Sequence, residues 1–234
     1  MSICLIRRVN PARYHCFIEY NELEMDNSSK DSLIYILNII ENTNMNKENI
    51  YSAIEKRVNE EYFTGRVTLR EIFSEQVYNE QEMYHVTFHN GARTTLHYHE
   101  SDQILVATSG KGVVGLIKGT KVSNFEIDEK DIIFFEKEGD TVYIPANRLH
   151  FHGAINGSNG KADFSHLAIR KMYLNNITPA VKAKNEWEYD LIAKEIGNND
   201  PVIIKQIAKN ISEKIQAAIS MRLERGKNKP NSLL

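Results

Sequence analysis

Two histidines one residue apart, His97 and His99, are followed by Gln103 and, in a later segment, by His150 and His152. Side chains at i and i+2 leave the same side of a β-strand, so His97 and His99 can reach one ion. These two short segments hold four of the chain's eight histidines. His150 would complete a set of three imidazoles, and Gln103 would add a carboxamide oxygen. Such donors suit Fe, Cu, Ni, Zn and sometimes Mn, which restricts the metal to a divalent transition ion without selecting one.

Strand alternation sharpens that reading. His97, His99 and Gln103 share odd parity, whereas Glu100 and Asp102 do not, so a regular strand turns the two carboxylates away from the imidazoles. An amide ligand neutralises none of the ion's charge. The site would therefore stay dicationic, favouring bound hydroxide or an anionic substrate over tight metal retention. His152 shares the parity of His150 and is a candidate acid, base, orienting group or extra ligand. Arg93 shares the parity of His97, which would let its guanidinium meet a substrate carboxylate. His166 is a further candidate for the cavity wall. For each of these the plain alternative is a hydrogen-bonded structural residue.

The spacing around these residues forms two blocks. The first runs Gly91, five residues, His97, one residue, His99, three residues, Gln103, six residues, Gly110. The second runs Gly139, five residues, Pro145-Ala146-Asn147, two residues, His150, three residues, Ala154. This pattern resembles the two motifs of the cupin superfamily, over roughly residues 62 to 173. Gln103 stands where the first motif usually carries Glu, Asn147 where the second has Gly, and Ala154 where it usually ends in Asn. Asn tolerates the left-handed backbone that Gly supplies. Phe63-Thr64-Gly65, Gly91-Ala92-Arg93-Thr94 and His150-Phe151-His152-Gly153-Ala154 are similar to the small cupins associated with carboxymuconolactone decarboxylase modules. The reactive cysteine pattern of that module is absent. The resemblance implies a mainly β fold, a cupin-type antiparallel β-barrel or jelly roll with its metal inside. It also implies the classes dioxygenase, decarboxylase, isomerase or lyase, among which a fold does not choose.

The elements that must position these residues are partly legible. From Phe63 onward, short runs rich in Val, Ile, Thr, Tyr and Phe are broken by turn residues, as in Val67 to Phe73, Tyr84 to Phe88, Thr94 to His99, Ile104 to Thr108, Val113 to Ile117, Ile132 to Phe135, Thr141 to Ile144 and Phe164 to Ile169. Eight runs without helical interruption suggest an antiparallel sandwich or barrel. Helical extensions flank it, at residues 1–61 and 176–234, leaving the barrel to residues 62–175. In the first, Leu33, Ile36, Leu37 and Ile40 recur at helical spacing, and a second helix is expected from Asn46 through Ile50, Ile54 and Val58. Residues 1 to 30 read as either type. In the last, Trp187, Leu191 and Ile192 make a short stripe, and Asp200-Pro201 signals the start of a long helix carrying Ile204, Ile207, Ala208, Ile211, Ile215, Ala218 and Ile219 on one face. A stripe that long must be covered by the barrel's outer wall or by a second subunit, which makes a homodimer an expectation.

Composition bounds the partners. The 234 residues carry a formal net charge of -2, which gives no global pull toward nucleic acid or anionic membrane. No long apolar run is present, and the start of the chain lacks the ordered regions of a secretory signal, so a cytoplasmic protein is expected. Cys4 and Cys16 read as free thiols. The expected function is a metalloenzyme acting on a small, anionic organic acid or related oxygenated metabolite. The other class is a metabolite sensor whose helical arms engage a partner or DNA. Basic residues at the chain's end, Arg222, Arg225, Lys227 and Lys229, lack helix-turn-helix spacing, so nucleic acid is not the expected partner.

Overall fold

The computed structural model describes residues 4–10, 13–18, 47–73, 81–119, 121–122, 124–157, 160–174 and 181–227. Contacts divide the chain into two compact units, Met1–Asn46 and Lys47–Leu234. In the first, strands β1 (Cys4–Asn10) and β2 (Arg13–Ile18) pair as an antiparallel hairpin. The helix expected around Leu33 to Ile40 lies outside the described residues. The helix expected from Asn46 to Val58 does not form. Asn49 begins a turn there, its carbonyl accepting from the amides of Ser52 and Ala53, and β3 (Glu55–Lys56) follows. Asn49 explains the difference, because its side-chain Oδ1 accepts from the Tyr51 amide at 2.8 Å and closes the chain locally where a helix would need to propagate.

The second unit is built from two antiparallel sheets. The remaining strands are β4 (Val67–Phe73), β5 (Gln81–Phe88), β6 (His97–His99), β7 (Gln103–Gly110), β8 (Gly112–Leu116), β9 (Ile132–Phe135), β10 (Thr141–Ile144), β11 (His150–Ala154), β12 (Asn156–Gly157), β13 (Gly160–Lys161), β14 (Phe164–Lys171) and β15 (Asn185–Trp187). Six strands order as β10-β7-β14-β5-β4-β3 and five as β15-β6-β11-β8-β9, with β12-β13 as a small separate hairpin. The arrangement is jelly-roll-like, as expected, but the sheets stay separate rather than closing into a barrel. Consecutive strands switch sheets, as β6 to β7 and β9 to β10 do, so each sheet keeps its own hydrogen-bonded edges. Both flanking segments lend a strand, β3 to one sheet and β15 to the other.

Helices close the chain: α1 (Glu188–Ile196), which ends on the left-handed Gly197, and α2 (Pro201–Lys227). Asp200 caps α2 as its sequence implied, its Oδ1 accepting from the Val202 amide at 2.8 Å. The helix passes through Gly226 rather than stopping before it. Its stripe of Ile204, Ile211, Ile215, Ala218 and Ile219 is buried in one cluster with Val113, Ile132 and Phe151 of the five-stranded sheet and with Leu96 and Ile117 at its strand ends. The sheet's outer wall thus covers the stripe, and no second subunit is needed for that purpose. No helix among the described residues is long and apolar enough to cross a membrane.

A second cluster fills the space between the sheets, with Phe88, Leu105, Ala107, Val114, Phe135, Ile144, Phe164 and Ala168 at its heart. Gly112 is required there, since a Cβ would lie 2.4 Å from the Phe164 ring. Asn147 adopts φ 58°, confirming that it takes over the left-handed turn of the second motif.

Candidate metal centre

Strand β6 carries His97 and His99, and strand β11 carries His150 directly opposite His97 in the register. All three rings are buried, and their available nitrogens lie within 4.8 Å of one another. Metal–imidazole bonds of about 2.0–2.1 Å place cis nitrogens about 3 Å apart, so small side-chain rotations close the set around one ion.

The tautomers favour that use. His97 Nδ1–H donates to the Thr95 carbonyl at 3.0 Å, and His150 Nδ1–H donates to the Arg148 carbonyl at 2.7 Å. His99 Nδ1–H donates to Asn185 Oδ1 at 2.7 Å. A carbonyl oxygen can only accept, so Nδ1 of His97 and of His150 holds the proton and Nε2 keeps its lone pair, while His99 Nδ1 lies between the Asn185 oxygen, which can only accept, and Arg170 Nη1 at 2.5 Å. Arg170 Nη1 also donates to Asn185 Oδ1, which fixes the orientation of that amide. Burial pushes His97 and His99 well below the usual imidazole range, helped at His97 by the crowding of the other imidazoles, which cannot share a charge, and at His99 by the Arg170 guanidinium. His150 is pushed down to about 4 for the same first reason, partly offset by the Arg148 carbonyl. Neutral imidazoles with free Nε2 lone pairs are the donors a divalent transition ion requires.

Gln103 reaches this cluster from the opposite sheet. Its side chain is buried and its Oε1 lies 3.2 Å from His150 Nε2. Gln103 joins His97 and His99 across the interior and not along one strand, because residues 100–102 carry the chain from one sheet to the other. The carboxylates do turn away: Glu100 accepts from the Lys184 amide at 2.9 Å and Asp102 from the Ala146 amide at 2.8 Å.

His152 and His166 form a second buried pair beside the first group. The His152 ring centroid lies 5.3 Å from that of His97, and His166 Nε2 is 3.0 Å from His152 Nδ1. His166 Nδ1 has no partner among the described residues. An orphaned N–H costs more than an orphaned lone pair, so His166 Nε2–H donates and His152 carries its own proton on Nε2. Burial holds His152 well below its usual range and His166 down to about 3, so both stay neutral. Of the other histidines, His85 hydrogen-bonds Thr108 at 3.0 Å and His89 pairs with Asp163 at 2.9 Å, away from the cluster.

Arg93 does not face the cavity, contrary to the sequence expectation. Its Nη2 donates to the carbonyl and hydroxyl of Ser212 at 2.9 and 2.6 Å, and its Nη1 to Gln216 at 3.2 Å, all on α2. The cause is a slip of one residue in register. His97 stands opposite His150, whereas Arg93 stands opposite Gly153, and a bend at Leu96 separates the two pairings. Parity counted through that bend comes out reversed.

The guanidinium near the cluster is Arg170 instead. It lies on β14, contacts His99 and Asn185, and pairs through Nε with Glu82. Glu82 also accepts from the Tyr84 hydroxyl at 2.9 Å, and with burial it raises the Tyr84 phenol above its usual range. Arg170 and Tyr84 border a cavity of about 400 Å3 whose lining includes His97, His99, Gln103 and His152. Phe63, Leu69, Val86, Ala168 and Trp187 form apolar walls, and Lys56 and Arg57 stand among the remaining lining residues. Trp187, read from the sequence as part of a helical stripe, ends β15 instead and stacks on His97 with centroids 4.3 Å apart and planes at 17°. Tyr62 stacks on its other face at 4.2 Å. Nothing in the spacing of Arg170, Asn185 or Trp187 signalled the site; being the chain's single tryptophan was the one unusual property any of them had.

Residues 73–166 match the family model described as Cupin. No curated protein matches the chain. Among solved structures, the chain is similar to a cupin-like protein from Thermotoga maritima at 28% identity, over 60% of this chain and 88% of that one, with a TM-score of 0.42. A predicted oxalate decarboxylase from the same organism shares 18% identity over 53% of this chain and 96% of that one, with a TM-score of 0.40. KdgF from Halomonas sp. shares 18% over 52% and 87%, with a TM-score of 0.37. With the family match spanning both histidine segments, and with the two facing antiparallel sheets around them, residues 73–166 form a cupin domain.

Proposed function

We propose that this protein is a metal-dependent cupin enzyme acting on a small anionic organic acid or related oxygenated metabolite in the cavity between its sheets. The observation that carries the reading is the set of three buried imidazoles, each with Nδ1 against an oxygen acceptor and with their available nitrogens within 4.8 Å of one another. A divalent transition ion held by His97, His99 and His150, with Gln103 as a fourth donor, would supply Lewis acidity for a carboxylate or enolate and, if iron, a route to dioxygen chemistry.

The chain's own residues define the rest. A cavity of about 400 Å3 suits a compact metabolite, near the lower end of ordinary ligand pockets. Because Gln103 brings no charge, an ion held there would keep its positive charge and favour an anion; Arg57 stands among the lining residues, while Lys56 and Arg170 are paired with Glu71 and Glu82. Phe63, Leu69, Val86 and Ala168 take the carbon skeleton and keep water out. His152 offers a neutral Nε2–H to a substrate oxygen, with His166 holding its ring in that tautomer.

The test is removal of metal by chelator, then assay on a panel of keto acids and phenolic acids with and without Fe, Mn, Ni, Zn or Cu restored. Turnover of one class of acid that vanishes on chelation and returns with one ion is expected. Turnover indifferent to chelation overturns the proposal.

A further inference from the structure

We infer that the C-terminal arm is part of the metal centre, with Asn185 as the positioning residue for His99 and Trp187 for His97. This rests on the metal-centre reading above and deepens it.

Four contacts with the arm fall within the seven residues from Arg93 to His99. The β15–β6 pairing sets Asn185 opposite His99 and Trp187 opposite His97. Asn185 Oδ1 then accepts from His99 Nδ1–H, which is what leaves Nε2 free to ligate. Trp187 lies flat on the His97 ring and is itself backed by Tyr62, so the imidazole cannot swing toward that side. At the same segment, Glu188 accepts from the Leu96 amide at 3.0 Å, and Arg93 is clamped by Ser212 and Gln216 of α2. Of the partners that fix the three imidazoles, those of His97 and His150 include backbone carbonyls close in sequence, whereas His99 is held by Asn185 of the arm together with Arg170 of β14. Seating of the arm and loading of the ion are therefore one linked equilibrium, each favouring the other by the same factor.

Trp187 is the chain's single tryptophan, which makes its fluorescence a direct report on the site. Metal-free full-length protein is titrated with Co(II), reading Trp187 emission, and affinity is taken from competition with a chelator. Wild type is expected to be quenched with a one-to-one endpoint. Asn185→Ala is expected to weaken Co(II) binding by about 10- to 100-fold, and Asn185→Asp to restore it, since a carboxylate accepts the same hydrogen bond. Glu186→Ala is the control for damage to the strand: Glu186 lies on the opposite side of β15 and pairs with Lys194 at 2.7 Å, so affinity should hold. Trp187→Phe should keep affinity within a few-fold and Trp187→Ala should lose more. If wild type binds no divalent ion, the metal centre itself falls. If wild type binds one ion through His97 while Asn185→Ala and Trp187→Ala bind it equally well, or Glu186→Ala weakens it as much as Asn185→Ala, the arm inference alone is overturned.

Discussion

The five-stranded sheet has two faces made from the same strands, and they serve opposite ends. On β11, Phe151 points out to the helices while His150 and His152 point in; on β6, Tyr98 packs outward while His97 and His99 point in. The outer face is hydrocarbon packed on hydrocarbon. Gly115 there has no room for a side chain, since a Cβ would lie 2.3 Å from the Phe151 ring. The inner face buries five imidazoles, counting His166 from the facing sheet, none of which gains much from leaving water unless it holds a hydrogen bond or an ion. Period-two alternation thus separates stability from function one residue at a time. The inner face is tolerable because the outer face stabilises the sheet on its own.

That contrast can be broken from either side. Phe151→Ala should be the larger blow to folding, about 3–5 kcal/mol for a fully buried aromatic, read as a fall in the denaturant midpoint at unchanged slope. A loss under 1 kcal/mol would mean that the helices do not hold the sheet. His97→Gln should do the reverse. Metal affinity should fall by at least about 100-fold, while the midpoint of the metal-free protein moves by less than about 1 kcal/mol. A large loss of metal-free stability would make the imidazoles structural.

Much of this division was readable in the residues themselves. The runs Val67 to Phe73, Ile132 to Phe135 and Thr141 to Ile144 match their strands at both ends, because alternating β-branched and aromatic residues bounded by turn formers carry the strand signal locally. His97, His99 and His150 come together for the same reason. What escaped was non-local. Arg93 was misplaced because one bend at Leu96 shifts every side chain before it to the other face, and a bend inside an apolar stretch has no compositional mark. Arg170 and Asn185 came to the site through pairings of β14 and β15 with distant strands, which no local period encodes. The turn at Asn49 was lost to a helical spacing of Ile50, Ile54 and Val58 that tertiary structure overrides; Ile54 is in fact 76% exposed.

Gln103 sharpens the contrast on the inner face, where charge rather than packing decides. Gln103→Glu places an anion beside the three imidazoles without changing the number of donors. Metal affinity, measured by chelator competition, should rise by about 10-fold, since a single favourable charge interaction is on the order of 1–2 kcal/mol at a partly screened site. An anionic inhibitor should bind more weakly to the loaded variant. Equal affinity for metal in both proteins would show that residue 103 stands apart from the ion and serves only as a partner for His150.

Glu188 sits where the two faces meet, and its effect is the most pH-dependent. Its carboxyl accepts from the Leu96 amide at the bend that separates the outward Arg93 from the inward His97. Burial raises it from 4.5 to about 7, against the opposing pull of the Leu96 amide and of Arg93. A carboxyl that ionises near 7 when folded and near 4.5 when unfolded contributes stability that is whole below pH 4.5 and is lost as the pH climbs to 7. Glu188→Gln keeps an acceptor for Leu96 but has no proton to lose. The variant should therefore gain on wild type through that window, by up to about 3 kcal/mol at pH 8 relative to pH 4.5, in chemical denaturation of metal-free protein at each pH. Parallel stability curves would mean that Arg93 keeps Glu188 ionised throughout, turning the bend into an ion pair between the sheet and its helices rather than a buried neutral contact.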